Sequence, residues 1–482
     1  MTLDDHLHHL VGKYTAAPQW VKTIAGGAYA MLPPSFRFGR QFNHFKQRFL
    51  SDTGVAEYAA GRLQATLFEA LAHVPAFAQY RELLGDIERD PYRVLSQLPL
   101  TSKEDIKAAL PSYLSTAWPA SARLRMFTGG STSVPMTFYI HKGISRAKEW
   151  AAFHAMAARF GTDGDGVVLA MRGRTVTSAG HGRIWSYEPV KRHLIVSSDH
   201  LEPQHMPAYV DALKRLPPSY IHAFPSALYP LVAWLRDNGH EGLLASVKCV
   251  ALSSESVFDH HMAAFRAFFG CPVIAIYGHT ERVLFANMLP ADPRYHFWPQ
   301  YGHVELVDAT GHPVTRPGQI GEIVGTSFDN QVMPFLRYRT GDYAVWSEQP
   351  SPALPAWPVV DRIEGRLQEF VVCHDHRLVT VTTLGAAHFE QLDQCLRIQY
   401  EQREPGKLIL RVMPLRKLAD TDCAAIARAV EEKTQGGCTV RVEQVDAIPV
   451  TERGKQRLLM QHLDISDYLG ASIEGRMAAR AG

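Results

Sequence analysis

Apolar residues recur at roughly helical spacing from Val55 to Leu84 and break at Pro75, which predicts two successive helices. Leu98-Pro-Leu-Thr-Ser-Lys103 reads as a loop feeding another helix, with Thr101 or Ser102 as N-cap. Before these, residues 1–50 mix aromatic, basic and apolar side chains without clean caps, and read as short helices on the main body. Leu124–Phe127 and Met136–Ile140 read as strands on either side of a small polar loop, Thr128-Gly-Gly-Ser-Thr-Ser-Val-Pro135. Short apolar strands follow at 166–171, 220–223, 247–252 and 273–277, with helices at Ser226–Asn238 and Phe258–Phe269 between the later ones. Such alternation predicts an α/β sheet with helical crossovers. After Tyr301 the pattern changes. Val304–Asp308, a turn at Ala309-Thr-Gly-His-Pro313, and Gly321–Gly325 resemble an antiparallel meander.

Pro350, Pro352, Pro355 and Pro358 then read as a stiff connection, beyond which a β–β–α–β unit is expected. Its strands are Cys395–Tyr400, Leu408–Met413 and Thr439–Val445, and its helix runs from about Asp420 to Lys433. The expected organisation is a large N-terminal α/β domain over residues 1–364 and a small, mobile C-terminal α+β domain over residues 365–482. A length of 482 residues fits one large core plus a smaller one.

Composition narrows the class. Hydrophobic residues make up 46% and charged residues 20%, as in ordinary globular proteins, and the formal net charge of +2 advertises no nucleic-acid partner. Six scattered cysteines without a C-x-x-C pair argue against a zinc ribbon or a disulfide framework and lead us to expect a cytoplasmic protein. No apolar run reaches the ~18–20 residues needed to span a bilayer; the best candidate, Ile24 to Leu32, is too short and is interrupted by Gly26 and Gly27.

Five segments carry candidate chemistry. In Thr128-Gly-Gly-Ser-Thr-Ser-Val-Pro135, glycines admit an anion to the backbone N–H groups and hydroxyls add donors, so the loop is either a phosphate cradle or a plain turn. Tyr277-Gly-His-Thr-Glu281 follows a strand whose carboxyl end is a usual ligand position. There a tyrosine can stack on a base and a carboxylate can hold Mg²⁺ beside phosphates, or the segment is a strand-to-loop turn with a buried tyrosine. Leu336-Arg-Tyr-Arg-Thr-Gly-Asp342 places Asp342 where it can accept from a ribose diol, or it is a charged hairpin turn. Asp361-Arg-Ile-Glu-Gly-Arg366 is a hinge or a solvated linker, and Ile448-Pro-Val-Thr-Glu-Arg-Gly-Lys455 puts a lysine in a glycine-containing loop. Such a lysine can serve as a mobile cation for developing phosphate charge, or the loop is plain surface.

Taken in order, these segments resemble the core motifs of the adenylate-forming superfamily, which includes acyl-CoA synthetases, peptide-synthetase adenylation domains and luciferases. Ser253-Ser-Glu-Ser256, Tyr277-Gly-His-Thr-Glu-Arg282 and Tyr295-His-Phe-Trp-Pro-Gln-Tyr-Gly-His-Val-Glu305 look like its phenylacetate–CoA ligase branch, particularly the capsular-polysaccharide-biosynthesis (CapK-type) members. The resemblance runs from about residue 35 to 460.

It implies roles residue by residue. Thr128, Gly129, Gly130, Ser131 and Thr132 would wrap the β and γ phosphates of ATP. Ser254 and Glu255 would lie along the adenine pocket, with Tyr277, Gly278 and His279 alongside and Tyr277 against the base. Thr280 would contact the α-phosphate, Glu281 would coordinate Mg²⁺, and Asp342 would take the ribose hydroxyls. Arg366 would sit at the hinge, and Lys455 would bridge the attacking carboxylate and the α-phosphate. Phe224, Pro225, Ser226 and Ala227 would line the acyl pocket.

The implied activity is ATP-dependent activation of an aromatic or fatty acid to an acyl-adenylate with release of pyrophosphate. Transfer to coenzyme A, a carrier-protein thiol, an amine or a hydroxyl would follow. A nucleotide- or acyl-binding assembly factor of reduced activity is the competing reading, and both monomer and homodimer fit. Two positions depart from the family pattern. Ser133-Val134-Pro135 stands where a lysine usually precedes the proline, leaving His141, Lys142 or Arg174 as replacement cations, and Gln368 replaces the hinge aspartate or lysine. A carboxylate is already ionised at neutral pH, so no general base is required, and His279 and His222 receive no proton-transfer role.

Overall fold

The computed structural model describes residues 5, 13–14, 17–128, 136–162, 166–172, 184–198, 200–366, 369–381, 384, 395–450 and 456–468. Three helices, Gln19–Met31, Pro34–Arg37 and Phe42–Leu50, open the described chain. Phe42, Phe45 and Phe49 recur at helical spacing and are buried against the body. Helix Val55–His73 ends where Pro75 begins a 3₁₀ segment to Asp86, as a proline without an N–H requires. The next helix, Lys103–Ala108, starts on a capping box: the Ser102 hydroxyl accepts from Asp105 N, and the Asp105 carboxylate accepts from Ser102 N.

Strands β1 (Arg123–Phe127) and β2 (Thr137–His141) pair antiparallel. The main sheet contains β3 (Val168–Met171), β4 (Trp185–Glu188), β5 (His193–Val196), β6 (Tyr220–Ala223), β7 (Cys249–Ser253) and β8 (Val273–Gly278). It continues with β9 (Phe285–Leu289), β10 (Asp292–Phe297), β11 (Gly302–Val307), β12 (Ile320–Ser327), β13 (Tyr338–Trp346) and β14 (Val359–Arg366). The order is β11-β12-β13-β14-β10-β9-β8-β7-β6-β3-β5-β4. Strands β5, β3, β6, β7 and β8 run parallel, and from β8 through β9 to β11 every pairing is antiparallel. The switch in pairing falls at the carboxyl end of β8.

The parallel strands are buried on both faces, as their unbroken apolar character demands. On one face Leu169, Met171, Ile221, Ala223, Val250 and Leu252 pack with helices Met206–Arg215 and Pro225–Asp237. On the other, Cys249, Ala251, Ile274 and Ile276 meet the alanine-rich side of helix Ser145–Arg159. Lys148 of that helix is fully buried, yet its Nζ donates to the carbonyls of Tyr301 (2.6 Å) and Phe328 (2.8 Å) and lies 3.3 Å from Asp329. Arg62 binds the same Asp329 carboxylate at 2.5 Å. This polar knot ties the helix to the antiparallel half of the sheet.

The proline-rich stretch departs from expectation. Residues 350–358 join β13 to β14 inside the main sheet, with Leu354 and Trp357 in the core, so they are not a connection between domains. The sequence pattern shows prolines that break a strand; it does not show that the same sheet resumes after them. Beyond β14 come a hairpin of β15 (Phe370–Val372) and β16 (Leu378–Thr380), then a four-stranded sheet. That sheet contains β17 (Cys395–Glu404), β18 (Lys407–Pro414), β19 (Thr439–Gln444) and β20 (Leu459–Gln461), in the order β19-β18-β17-β20. Helix Asp420–Lys433 packs on it through Ile426 and Val430. No described helix is long and apolar enough to cross a membrane.

Candidate functional site

The carboxyl ends of β7 and β8 and the facing parts of β13 and β14 converge. Tyr277 and Gly278 end β8, and His279, Thr280 and Glu281 form the turn after it. This turn is held from behind by Val283 and Leu284, which lie against β11 and β12. A Cβ at Gly302 would sit 2.2 Å from the Val283 carbonyl oxygen, and one at Gly325 would sit 2.5 Å from the Val283 side chain. Glycine at both positions lets the turn approach the sheet.

Asp342 on β13 pairs directly with Arg366 on β14. Gly341 before it adopts φ +75°, and Asp342 N donates to the Thr340 hydroxyl at 3.1 Å, which turns the carboxylate toward β8. There the Tyr277 hydroxyl donates to Asp342 Oδ2 at 3.0 Å, and Arg366 Nε donates to Oδ1 at 3.2 Å. His279 Nε2 lies 2.6 Å from the Tyr277 oxygen. Because that hydroxyl spends its proton on Asp342, His279 must be the donor, which sets its tautomer as Nε2–H. Among the described residues its Nδ1 has no hydrogen-bond partner, and it remains an acceptor. Burial lowers the His279 imidazole below its ordinary range, opposed by Asp342 and Glu281, so the ring is neutral at pH 7. Burial, reinforced by Asp342, pushes the Tyr277 phenol well up, and Asp342 in turn raises Arg366.

Glu281 is half-buried, and Tyr338 at the start of β13 donates to its Oε1 at 3.0 Å. With Lys148, Arg282 and Asn330 it lines a small, partly open cleft. Among the described residues no group of three or more His, Cys, Asp and Glu side chains could cage a metal. One carboxylate at a cleft still suits Mg²⁺, which commonly takes one or two carboxylates and completes its shell with phosphate and water. The donor set therefore fits a metal that arrives with a nucleotide.

Thr128, at the end of β1, is buried and engaged at the base of its loop. Its N–H donates to the Met136 carbonyl, and its hydroxyl accepts from Met136 N, both at 2.9 Å. Gly129, Gly130, Ser131, Thr132, Arg174, Gln368 and Lys455 lie outside the described residues. Of the proposed replacement cations, His141 is buried against Trp118 and its imidazole is lowered by that burial, while Lys142 Nζ donates to the Ser121 carbonyl at 2.9 Å.

Ser254 follows β7 with φ +67°, a left-handed conformation that is strained for a side-chain-bearing residue. Next to it, Glu255 Oε2 accepts from Ser226 N at 3.2 Å and Oε1 accepts from Gln456 N at 3.0 Å. Phe224 and Ala227 pack in the apolar core beside β6, and Pro225 is buried as the first residue of its helix. Ser226 is half-buried, with its N–H on Glu255. The structure thus brings Tyr277, His279, Glu281, Asp342 and Arg366 together, with Ser254 and Glu255 ending the adjacent strand. Tyr338 stands within the Leu336–Asp342 motif, but only its register opposite the β8 turn reveals Glu281 as its partner.

Residues 68–333 match the family model described as AMP-binding enzyme. The chain is 22% identical over 376 residues to Protein CapK of Staphylococcus aureus, covering 77% of this chain and 80% of that protein. It is 24% identical over 294 residues to phenylacetate-coenzyme A ligase of Pseudomonas putida, covering 58% of this chain and 64% of that enzyme. Among solved structures, it is similar to 2-hydroxyisobutyryl-CoA ligase in the postadenylation state in complex with R3-HIB-AMP. That similarity has a TM-score of 0.64 and 19% identity, over 86% of this chain and 91% of that one.

Proposed function

The chain belongs to the AMP-binding enzyme family, within the adenylate-forming superfamily, and from that premise we propose that it activates an aromatic or fatty carboxylic acid with ATP, forming an acyl-adenylate and pyrophosphate. In this reading the acid's carboxylate oxygen attacks the α-phosphorus, the bond from that phosphorus to the bridging oxygen breaks, and pyrophosphate leaves with the electron pair. Asp342 accepts from the ribose, Tyr277 faces the base, and Thr280 faces the α-phosphate. Glu281 would hold Mg²⁺, which when bound would neutralise phosphate charge. Residues 128–132 cradle the phosphates, and Lys455, carried by a C-terminal domain that begins near residue 365, steadies the attacking carboxylate. Coenzyme A or another thiol then takes the acyl group.

The observation that carries the reading is the convergence of Tyr277, His279, Glu281, Asp342 and Arg366 on the carboxyl end of β8. It is supported by the P. putida relative, a phenylacetate-coenzyme A ligase, and by the solved ligase with its acyl-AMP. No general base is invoked, because the attacking carboxylate is already ionised at neutral pH. Acid-dependent exchange of labelled pyrophosphate into ATP tests the reading. Lys455→Ala is expected to lower exchange at least ~100-fold, the scale for losing one contact to developing charge. Full exchange by that variant sinks the role of Lys455.

A further inference from the structure

We infer that Glu255 is a positioning residue that, by anchoring Gln456, the residue after Lys455, supports adenylation. The inference rests on the reading of Lys455 given above.

Three observations carry it. Glu255 stands in the first turn after β7, presented by the left-handed backbone of Ser254. One carboxylate oxygen accepts from Ser226 N in the first turn of helix Pro225–Asp237. Near the positive end of that helix the carboxylate is stabilised as an anion whether or not anything else binds it. The other oxygen accepts from the N–H of Gln456, the residue that follows Lys455.

Gln456 is itself tied to the four-stranded sheet. Its Nε2 donates to the Ile398 carbonyl, it bridges to Val450, and Gln399 Nε2 donates to the neighbouring Arg457 carbonyl at 2.9 Å. A second tie lies nearby: Arg397 on β17 donates to the Ser198 carbonyl at 2.9 Å and to the Ile448 carbonyl at 3.2 Å. Glu255 therefore connects the end of a main-sheet strand to the backbone amide of Gln456, which follows Lys455 in the chain. A carboxylate can serve both N–H groups because each of its oxygens is an acceptor. In glutamine one of those two positions becomes an NH₂ donor that faces an N–H.

The test uses the full chain and Glu255→Gln, with Glu255→Asp as the charge-retaining control. Hydrogen–deuterium exchange followed by mass spectrometry reads the Gln456 amide directly. Equilibrium dialysis of ATP reads nucleotide affinity, and acid-dependent pyrophosphate exchange reads adenylation. The expected result is roughly 10- to 100-fold faster deuteration at Gln456 and a loss of pyrophosphate exchange of the same order, the scale of one charge-assisted hydrogen bond. Helix Pro225–Asp237 keeps its protection, while Glu255→Asp recovers part of both losses.

Unchanged deuteration at Gln456 overturns the inference, as does weakened ATP binding with normal Gln456 protection, which assigns Glu255 to the nucleotide pocket. If the wild type exchanges no pyrophosphate with any acid, the proposed function fails, and the deuteration result still decides whether Glu255 anchors Gln456.

Discussion

Replacing Asp342 by asparagine tests the nucleotide site with little disturbance to the fold. The carboxylate offers about four lone-pair positions, of which Tyr277 and Arg366 occupy two. Under the proposed role the others face the ribose diol. Asparagine keeps one oxygen and turns an NH₂ group toward the second set of donors, so at least one hydrogen bond to the sugar is lost. A hydrogen bond to a charged acceptor contributes about 1.5–3 kcal/mol, which corresponds to roughly 10- to 150-fold weaker ATP binding. Stability should hardly move. The Arg366 side chain is 46% exposed, so its pairing with Asp342 contributes at most about 1 kcal/mol, and the remaining Asn oxygen still serves Tyr277. Isothermal titration calorimetry with ATP and a thermal melt on the same preparation measure both quantities. Binding within twofold of wild type, with the melt unchanged, refutes the assignment of Asp342 to the ribose.

Two further outcomes follow from buried polar contacts. Burial lowers the Lys148 ammonium to about 8 despite Asp329, so between about pH 8 and the ordinary lysine value of about 10.4 the unfolded chain binds more protons than the folded one. The stability of the wild type relative to Lys148→Met should therefore rise across that window, by roughly 3 kcal/mol; a difference that stays flat in urea titrations at several pH values contradicts this. Tyr338→Phe removes the donor to Glu281 Oε1 and should change the Mg²⁺ concentration needed for half-maximal pyrophosphate exchange about threefold or more, since a hydrogen bond of about 1 kcal/mol is lost. An identical Mg²⁺ dependence means that this contact does not tune Glu281.

Much of the main sheet was legible because its parallel strands are continuous apolar runs bounded by turns: β6 coincides with the expected 220–223, and β8 exceeds its expected span by one residue. Helix Asp420–Lys433 was legible from its periodicity, as was the break at Pro75. Strands such as β4, Trp185–Glu188, which is nowhere fully buried, carry no comparable signal. The prolines of residues 350–358 misled for a related reason. They mark a break in hydrogen bonding but not which strands lie on either side, and β14 returns to pair with β13 after the interruption.

At the site, residue types and order pointed to Tyr277, Glu281 and Asp342, yet the hydrogen bonds among them depend on cross-strand register. Asp342 meets Arg366 because the two are cross-strand neighbours, and Tyr338 meets Glu281 across the same group of strands. Glu255 shows the limit most clearly. Its partners Ser226 and Gln456 lie 29 and 201 residues away in the chain, separations over which no local pattern reports a contact.

The central claim is that this chain makes an acyl-adenylate. Purified protein incubated with ATP, Mg²⁺ and a panel of aromatic and fatty acids, followed by mass spectrometry, tests it most directly. The account predicts an ion of acid plus AMP less water that depends on both substrates, and its replacement by a thioester when coenzyme A or another acceptor thiol is added. Measurable ATP binding with no acyl-adenylate and no pyrophosphate from any acid would contradict it.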